Sequence, residues 1–209
     1  ALVGVFGLNI LSGLWPAKSK PESYDVVGFG KLPVLLGGRV KPLDSVARNS
    51  LRTIAGKTSI ALEGNGPGGI WGDLEKLHDD HNGKGLFYRR FYQFNKRPKK
   101  LHPTEWLMEV LMKPAKADRR FIFRIDHPEL LDELNLDEVG VNQSGLRYYS
   151  FEQLLPHVLK LHKQGQKISQ QLKSKNRSPY QKAVIKLTTS IHRYVQLRYS
   201  LQPNPLDLH

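Results

Sequence analysis

The chain has 209 residues, a formal net charge of +13 and no cysteine. Its length suffices for a buried core, and a content of 39% hydrophobic and 24% charged residues excludes a disordered tail, a collagen and a multi-span membrane protein. The absence of cysteine excludes disulfides, thiolate metal sites, cysteine nucleophiles and haem attached covalently to this chain. So strong a positive charge is expected to attract phosphates, anionic lipid or acidic proteins.

Residues 1–16 form an uncharged, largely apolar segment. It is shorter than the roughly 20 apolar residues that cross a bilayer as a helix. We interpret it as a membrane anchor or a signal remnant, joined by a linker over residues 17–23 to a single extracytoplasmic domain over residues 24–209. The alternative is that the segment belongs to the domain core. The first interpretation predicts a membrane-anchored protein on the periplasmic or another extracytoplasmic face.

A β-hairpin is predicted at the start of the domain. Two apolar runs flank Gly37 and Gly38, which can adopt the positive φ angles that a tight hairpin turn requires. Pro33 and Pro42 each lack an N–H donor, so both strands are predicted to be sheet edges.

A helix is predicted to follow the hairpin, with Asp44 or Ser45 as its N-cap. It is expected to run to about Ala55 and to stop at Gly56. Arg39 could pair with Asp44. The predicted buried face of this helix comprises Val46, Ala47, Leu51, Ile54 and Ala55.

Residues 63–103 are predicted to be a long irregular loop. Its glycine-rich run at 64–72 lacks the Lys-Ser/Thr pair of a phosphate-binding loop, and we assign it no role. The stretch 87–100 interleaves Phe and Tyr with Arg and Lys, a composition that can bind single-stranded nucleic acid. We favour the alternative that the aromatic residues are core and that basic residues such as Arg89 and Arg90 are its solvated rim. Nucleic acid is therefore not expected as a partner.

Short elements are predicted next along the chain. Thr104 is expected to cap a helix over residues 105–112, and residues 120–125 (RFIFRI) alternate in the manner of a strand. Pro128 is expected at the first position of a short helix over residues 129–134, where proline is tolerated.

A helical hairpin is predicted over residues 150–201. Ser150 and Gln153 form a capping box, and Ser178 opens the last helix. Only a few polar residues join the two helices, which predicts antiparallel pairing. Residues 141–209 hold eleven basic and two acidic residues, so the outer face should be basic. With the β-hairpin, these elements predict an α+β fold that is mainly α.

Candidate chemistry is sparse. His78 and His81 enclose two carboxylates, but no third ligand stands at a recognised spacing, so we assign no metal site and keep this pair only as a weak candidate. Asp126 next to His127 could orient a general base, yet no nucleophile is indicated and helix capping by Asp126 is favoured. We assign no catalytic residue and leave open whether the chain is an enzyme.

Several segments, taken in order, resemble the extracytoplasmic part of a bacterial cytochrome c assembly family of the CcsA/ResC type, often fused to a ResB-like part. We call them the assembly-like segments: residues 30–34 (GKLPV), 38–48 (GRVKPLDSVAR), 104–107 (TEWL), 123–128 (FRIDHP) and 149–154 (YSFEQL). The resemblance thus touches most of residues 24–165.

The family delivers haem across the membrane and helps to attach it to apocytochrome c. The resemblance therefore implies a non-catalytic interaction or positioning domain whose partners are the membrane and apocytochrome c or a partner assembly subunit. No cofactor is expected in this chain, although haem is possible in the complete assembly protein. Candidate partner-binding residues are Arg39, Lys41, Arg48, Arg89 and Arg90. The alternative functions are a basic nucleic-acid-binding protein and a secreted hydrolase, and the second lacks a convincing nucleophile–base pair.

Overall fold

The computed structural model describes residues 24–64, 69–72, 99–171 and 176–201. Helices dominate these ranges, and the strands form three small antiparallel sheets. The predicted α+β class, mainly α, is therefore confirmed. No helix in the described ranges has the length and hydropathy that a membrane span requires.

The elements are named here in chain order. The helices are α1 (Val26–Lys31), α2 (Leu43–Ala55), α3 (Pro103–Met112), α4 (Pro114–Ala117), α5 (Pro128–Leu134), α6 (Phe151–Leu154), α7 (Val158–Gln171) and α8 (Pro179–Arg198), with a 3-10 turn over Leu155–His157. The strands are β1 (Pro33–Leu36), β2 (Arg39–Pro42), β3 (Ile60–Ala61), β4 (Lys100–Leu101), β5 (Phe123–Arg124), β6 (Val141–Gln143) and β7 (Leu146–Tyr149).

The predicted β-hairpin is confirmed. Strands β1 and β2 pair antiparallel, and the turn residues Gly37 and Gly38 have φ angles of 59° and 72°. Both angles lie in the left-handed region that glycine tolerates, as a type I′ turn requires. The sheet has only these two strands, so Pro33 and Pro42 stand on edge strands as expected.

The predicted cap of α2 is wrong. The helix begins at Leu43 with Pro42 in the N-cap position and no side-chain cap, because Asp44 already lies inside the first turn. The predicted stop is correct, since Gly56 adopts a left-handed φ of 68°. All five side chains of the predicted apolar face are buried.

The cap of α3 was also assigned to the wrong residue. The helix starts one residue earlier than predicted, at Pro103, so His102 takes the N-cap position and forms a capping box with Glu105. Thr104 is thereby released from capping, and its hydroxyl bonds to Asp44 instead.

The predicted strand over residues 120–125 is reduced to Phe123–Arg124. It is one edge of a three-stranded sheet in the order β5-β7-β6, and neither β6 nor β7 is predicted from the sequence. Ile122 and Phe123 are both buried, although neighbours along a strand point to opposite faces. Both faces of the chain are therefore covered by the core at this point, so burial does not follow the alternating pattern on which the strand prediction relied.

The helical hairpin is confirmed, with one interruption. Capping boxes at Ser150 and Ser178 open its two arms. The first arm is broken by the 3-10 turn that contains Pro156, because proline cannot donate the backbone hydrogen bond of an α-helix. Four lysines on the outer face are exposed and have no ion-pair partner among the described residues: Lys163, Lys167, Lys182 and Lys186.

The two helical arms and the central sheet close around one core. Its largest fully buried side chains are aromatic and include Trp106, Phe123, Tyr148, Tyr149 and Tyr194. The Tyr194 ring packs edge-on against Phe123, with ring centroids 5.5 Å apart, so α8 is held directly against the sheet.

Candidate functional site

Three of the assembly-like segments meet at a junction centred on Asp44. Its Oδ2 accepts a 2.8 Å hydrogen bond from Arg48 Nε, and its Oδ1 accepts a 2.8 Å hydrogen bond from Thr104 Oγ1. Gly30 packs on the same residues, because a Cβ there would lie 3.1 Å from the Thr104 methyl group and 3.4 Å from Asp44 Cβ. Arg39 does not pair with Asp44, because Arg48 takes that role.

Arg48 extends this Asp44 junction to His102. The Arg48 guanidinium approaches His102 Nε2 at 3.1 Å, and Nδ1 of the same ring accepts from the Thr104 backbone N–H at 3.3 Å. The His102 backbone N–H in turn donates to Glu105. The polar groups of the junction are therefore bonded to one another.

The charge state of Asp44 fits a structural role. The hydrogen bond from Arg48 holds the pKa of Asp44 below its usual value, and the Thr104 hydroxyl acts in the same direction against partial burial. A carboxylate that is ionised and bonded on both oxygens is a poor proton acceptor. The junction is thus suited to fixing α1, α2 and α3 together.

The β-hairpin projects from this junction with apolar side chains exposed. Leu35 and Val40 are each 71% exposed and lie directly opposite each other in the ladder. Because cross-strand partners share a face, they form one surface with the pair Pro33 and Pro42. We call these four residues the apolar hairpin face.

The predicted partner-binding residues divide into three groups. Arg39 is exposed and Lys41 is half-buried on the other face of the hairpin, and neither has an ion-pair partner among the described residues. Arg48 is exposed but is engaged by Asp44. Arg89 and Arg90 lie outside the described residues.

The metal candidates His78 and His81 also lie outside the described residues. Within the described ranges, no group of three or more His, Asp and Glu side chains could hold a metal ion. Part of the glycine-rich run is described, and Gly64 N–H donates a 2.9 Å hydrogen bond to the carbonyl of Gly69. A Cβ at Gly64 would lie 1.9 Å from the Ile70 carbonyl oxygen, so this glycine serves a tight turn.

A small cavity of about 220 Å³ lies between the β5–α5 connection and α8. Its polar lining includes Arg124, Asp126, His127 and Lys186. The expected capping of α5 by Asp126 is wrong: His127 is the N-cap residue, and Asp126 lies 2.6 Å from Arg124 Nε. His127 Nδ1 is buried with no hydrogen-bond partner in the described chain, so the pair does not form an Asp–His dyad.

The described histidines lie in different surroundings. His127 lines the cavity, which is below the roughly 300 Å³ at which pockets for drug-sized ligands begin. His102 contacts Arg48, and His192 contacts Gln196.

A polar cluster that sequence reasoning missed holds the helical hairpin to α5. Glu133 is bonded by the Tyr180 hydroxyl, by Gln164 Nε2 at 2.6 Å and by Lys160 Nζ at 2.9 Å. The hydrogen bond from Tyr180 lowers the pKa of Glu133, while burial and that same carboxylate raise the pKa of Tyr180 to about 12. No sequence signal predicts the cluster, because its members are brought together only by the packing of three helices.

Comparison with known proteins adds no identification. The chain matches no protein family, no curated protein and no solved structure.

Proposed function

We propose that this chain is a non-catalytic extracytoplasmic interaction and positioning domain of a membrane-bound cytochrome c assembly protein that delivers haem. The observation that carries the proposal is the convergence of three assembly-like segments on the Asp44 junction. Gly30, Asp44 and Thr104 come from three separate segments and touch one another there. Residues that carry the resemblance thus build one structural unit, which holds the β-hairpin.

The distribution of polar groups supports binding rather than catalysis. At the junction, Asp44, Arg48 and Thr104 are bonded to one another. On the adjoining hairpin, Arg39 and Lys41 have no ion-pair partner in the described chain. Cations without intramolecular partners remain available to an external anion or acidic surface, whereas the bonded groups serve the fold.

Site-directed photo-crosslinking in a bacterium that makes the protein tests this proposal. A photoreactive amino acid replaces Arg39, and in a matched control it replaces Leu159, an exposed residue of α7 that is 53% accessible. The proposal predicts adducts from position 39, and not from position 159, with apocytochrome c or another subunit of the assembly machinery. Adducts at position 39 that contain only nucleic acid, or no adduct at all in illuminated cells, would contradict it.

A further inference from the structure

The apolar hairpin face carries no polar side chain. Side chains alternate between the two faces of a strand, so Pro33 and Leu35 share a face on β1 and Val40 and Pro42 share the same face on β2. Leu35 and Val40 are 71% exposed, among the most exposed large hydrophobic residues in the described chain. An apolar cross-strand pair of this kind, left in water at a projecting turn, is typical of a surface that another apolar phase covers.

The charged residues near this face indicate which apolar phase covers it. Residues 26–43 contain Lys31, Arg39 and Lys41 and no acidic residue. Register places Arg39 and Lys41 opposite Leu36 and Val34, on the other face of the same two strands. A hairpin with one apolar face and long basic side chains on the other matches the interface of an anionic bilayer, where the apolar groups enter the acyl boundary and the flexible cations reach the phosphate headgroups.

The unpaired backbone groups of the hairpin limit how deeply it can enter a bilayer. A two-stranded sheet has unpaired N–H and C=O groups along both outer edges, and these groups cannot be buried in hydrocarbon without cost. Pro33 and Pro42 have no N–H group, which reduces the number of unpaired donors at the base of the hairpin. At the turn, a Cβ added to Gly37 or Gly38 would meet no atom within 4 Å. The tip is therefore slender, and it is suited to shallow insertion and not to crossing.

We propose that the β1–β2 hairpin seats its apolar face in the interface of an anionic phospholipid bilayer and so fixes the orientation of the domain on the membrane. The inference deepens the proposed function and rests on its membrane location. It assigns Leu35 and Val40 to the acyl boundary and Lys31, Arg39 and Lys41 to the headgroups.

The absence of cysteine allows a direct test with single labels. Leu35→Cys is labelled with an environment-sensitive fluorophore, and Leu159→Cys serves as the matched exposed control. The proteins are mixed with vesicles of phosphatidylcholine alone or with about one third phosphatidylglycerol. On the anionic vesicles the fluorescence emission of the label at position 35 should shift to the blue, and this label should be shielded from an aqueous quencher. The label at position 159 should show neither change. Neutral vesicles should bind more weakly.

Unlabelled variants separate the apolar from the electrostatic contribution. Leu35→Ser/Val40→Ser should bind anionic vesicles at least roughly tenfold more weakly, whereas the control Leu155→Ser/Leu159→Ser should bind like the parent. Each of Arg39→Gln and Lys41→Gln should weaken binding about fivefold at low salt and less at high salt.

The outcomes distinguish this inference from the proposed function. Vesicle binding with an unshifted label at position 35 would overturn the hairpin contact and leave the membrane location standing. Absence of binding to anionic vesicles would overturn the inference and remove the membrane from the proposed partners. A crosslink from position 39 to a subunit of the assembly machinery would support the proposed function even if the hairpin did not bind vesicles.

Discussion

The Asp44 carboxylate accepts a 2.8 Å hydrogen bond from the Thr104 hydroxyl, although sixty positions of sequence separate the two residues. This contact joins the first turn of α2 to the first turn of α3. The two turns are far apart in sequence, and the contact between them lies next to Gly30 at the end of α1. The hairpin leads directly into α2, so the bond also fixes the base from which the apolar hairpin face projects.

Removing this carboxylate should loosen the junction. Asp44→Ala leaves the Thr104 hydroxyl and the Arg48 guanidinium without their acceptor, and it should lower the free energy of unfolding by about 1–2 kcal/mol. Glu138→Ala, at an exposed acidic position, is the control and should change that free energy by less than about 0.5 kcal/mol. Urea unfolding followed by circular dichroism measures both. Equal effects of the two substitutions would show that the junction does not stabilise the fold.

Stability should fall as the pH is lowered. Hydrogen bonds from Arg48 lower the pKa of Asp44, and hydrogen bonds from Arg120 and Lys116 outweigh burial and lower the pKa of Glu109. Because these pKa values are lower in the folded state, the unfolded state binds protons more readily. The stabilisation that the two ionised carboxylates give the folded state is therefore present above their ordinary pKa values of 3.8 and 4.5. It is lost as the pH falls towards the lower folded-state values.

One acid opposes this trend. Burial and the neighbouring Asp132 raise the pKa of Asp137, so its contribution favours the folded state at low pH. The three carboxyl groups with lowered pKa, Asp44, Glu109 and Glu133, should outweigh it. Urea midpoints measured between about pH 6 and about pH 3 should therefore decrease, and Glu109→Gln should flatten the decrease relative to Glu138→Gln. A midpoint that rises as the pH falls would contradict this assignment.

Asp118 anchors the end of the last helix. Its carboxylate accepts a 2.8 Å hydrogen bond from the Tyr194 hydroxyl and a two-pronged contact from Arg198, at 3.1 Å from Nε and 3.0 Å from the terminal nitrogen. Asp118→Ala should cost about 2–4 kcal/mol, because it leaves a half-buried guanidinium and a buried hydroxyl without an acceptor. Tyr194→Phe removes a single hydrogen bond and should cost only about 1 kcal/mol. Thermal or urea unfolding should rank the two variants in that order, and the reverse order would contradict the anchor.

Gly165 allows the two arms of the helical hairpin to approach closely. A Cβ at this position would lie 2.9 Å from Thr188 Oγ1 and 3.0 Å from its methyl carbon. Alanine normally stabilises a helix by up to about 1 kcal/mol relative to glycine, but here Gly165→Ala should destabilise by about 1–2 kcal/mol because of this overlap. Adding Thr188→Ala should recover most of the loss, since it removes both clashing atoms. Failure of this rescue would show that the arms are not in contact at Gly165.

The sequence predicted best those features that depend on neighbouring residues. The glycine turn at 37–38, the stop at Gly56 and the capping boxes at Ser150 and Ser178 each follow from the chemistry of a few consecutive positions. The apolar face of α2 followed from helical periodicity alone. These local rules also sufficed for the fold class.

The errors have physical causes that lie outside the local sequence. Asp44 and Thr104 are both good N-cap residues, but each lies inside a first helical turn, where their side chains bond to each other. Strands β6 and β7 were missed because they are short: they pair with each other across Ser144 and Gly145, and only β7 pairs with β5. The apolar hairpin face could have been found from the alternation of side chains along residues 33–42. The sequence could not show, however, that this face would remain exposed in the folded domain.

The amount of haem covalently attached to cytochrome c tests the central claim most directly. It can be measured by haem staining in cells whose chromosomal copy of this protein carries Arg39→Glu/Lys41→Glu. Lys163→Glu/Lys167→Glu makes the same charge change on the helical hairpin and is the control, with protein abundance checked by immunoblot. The account predicts a several-fold loss of holocytochrome c in the first variant and a near-normal level in the control. Full haem attachment in the first variant, at normal abundance of the protein, would contradict the assignment of this chain to cytochrome c assembly.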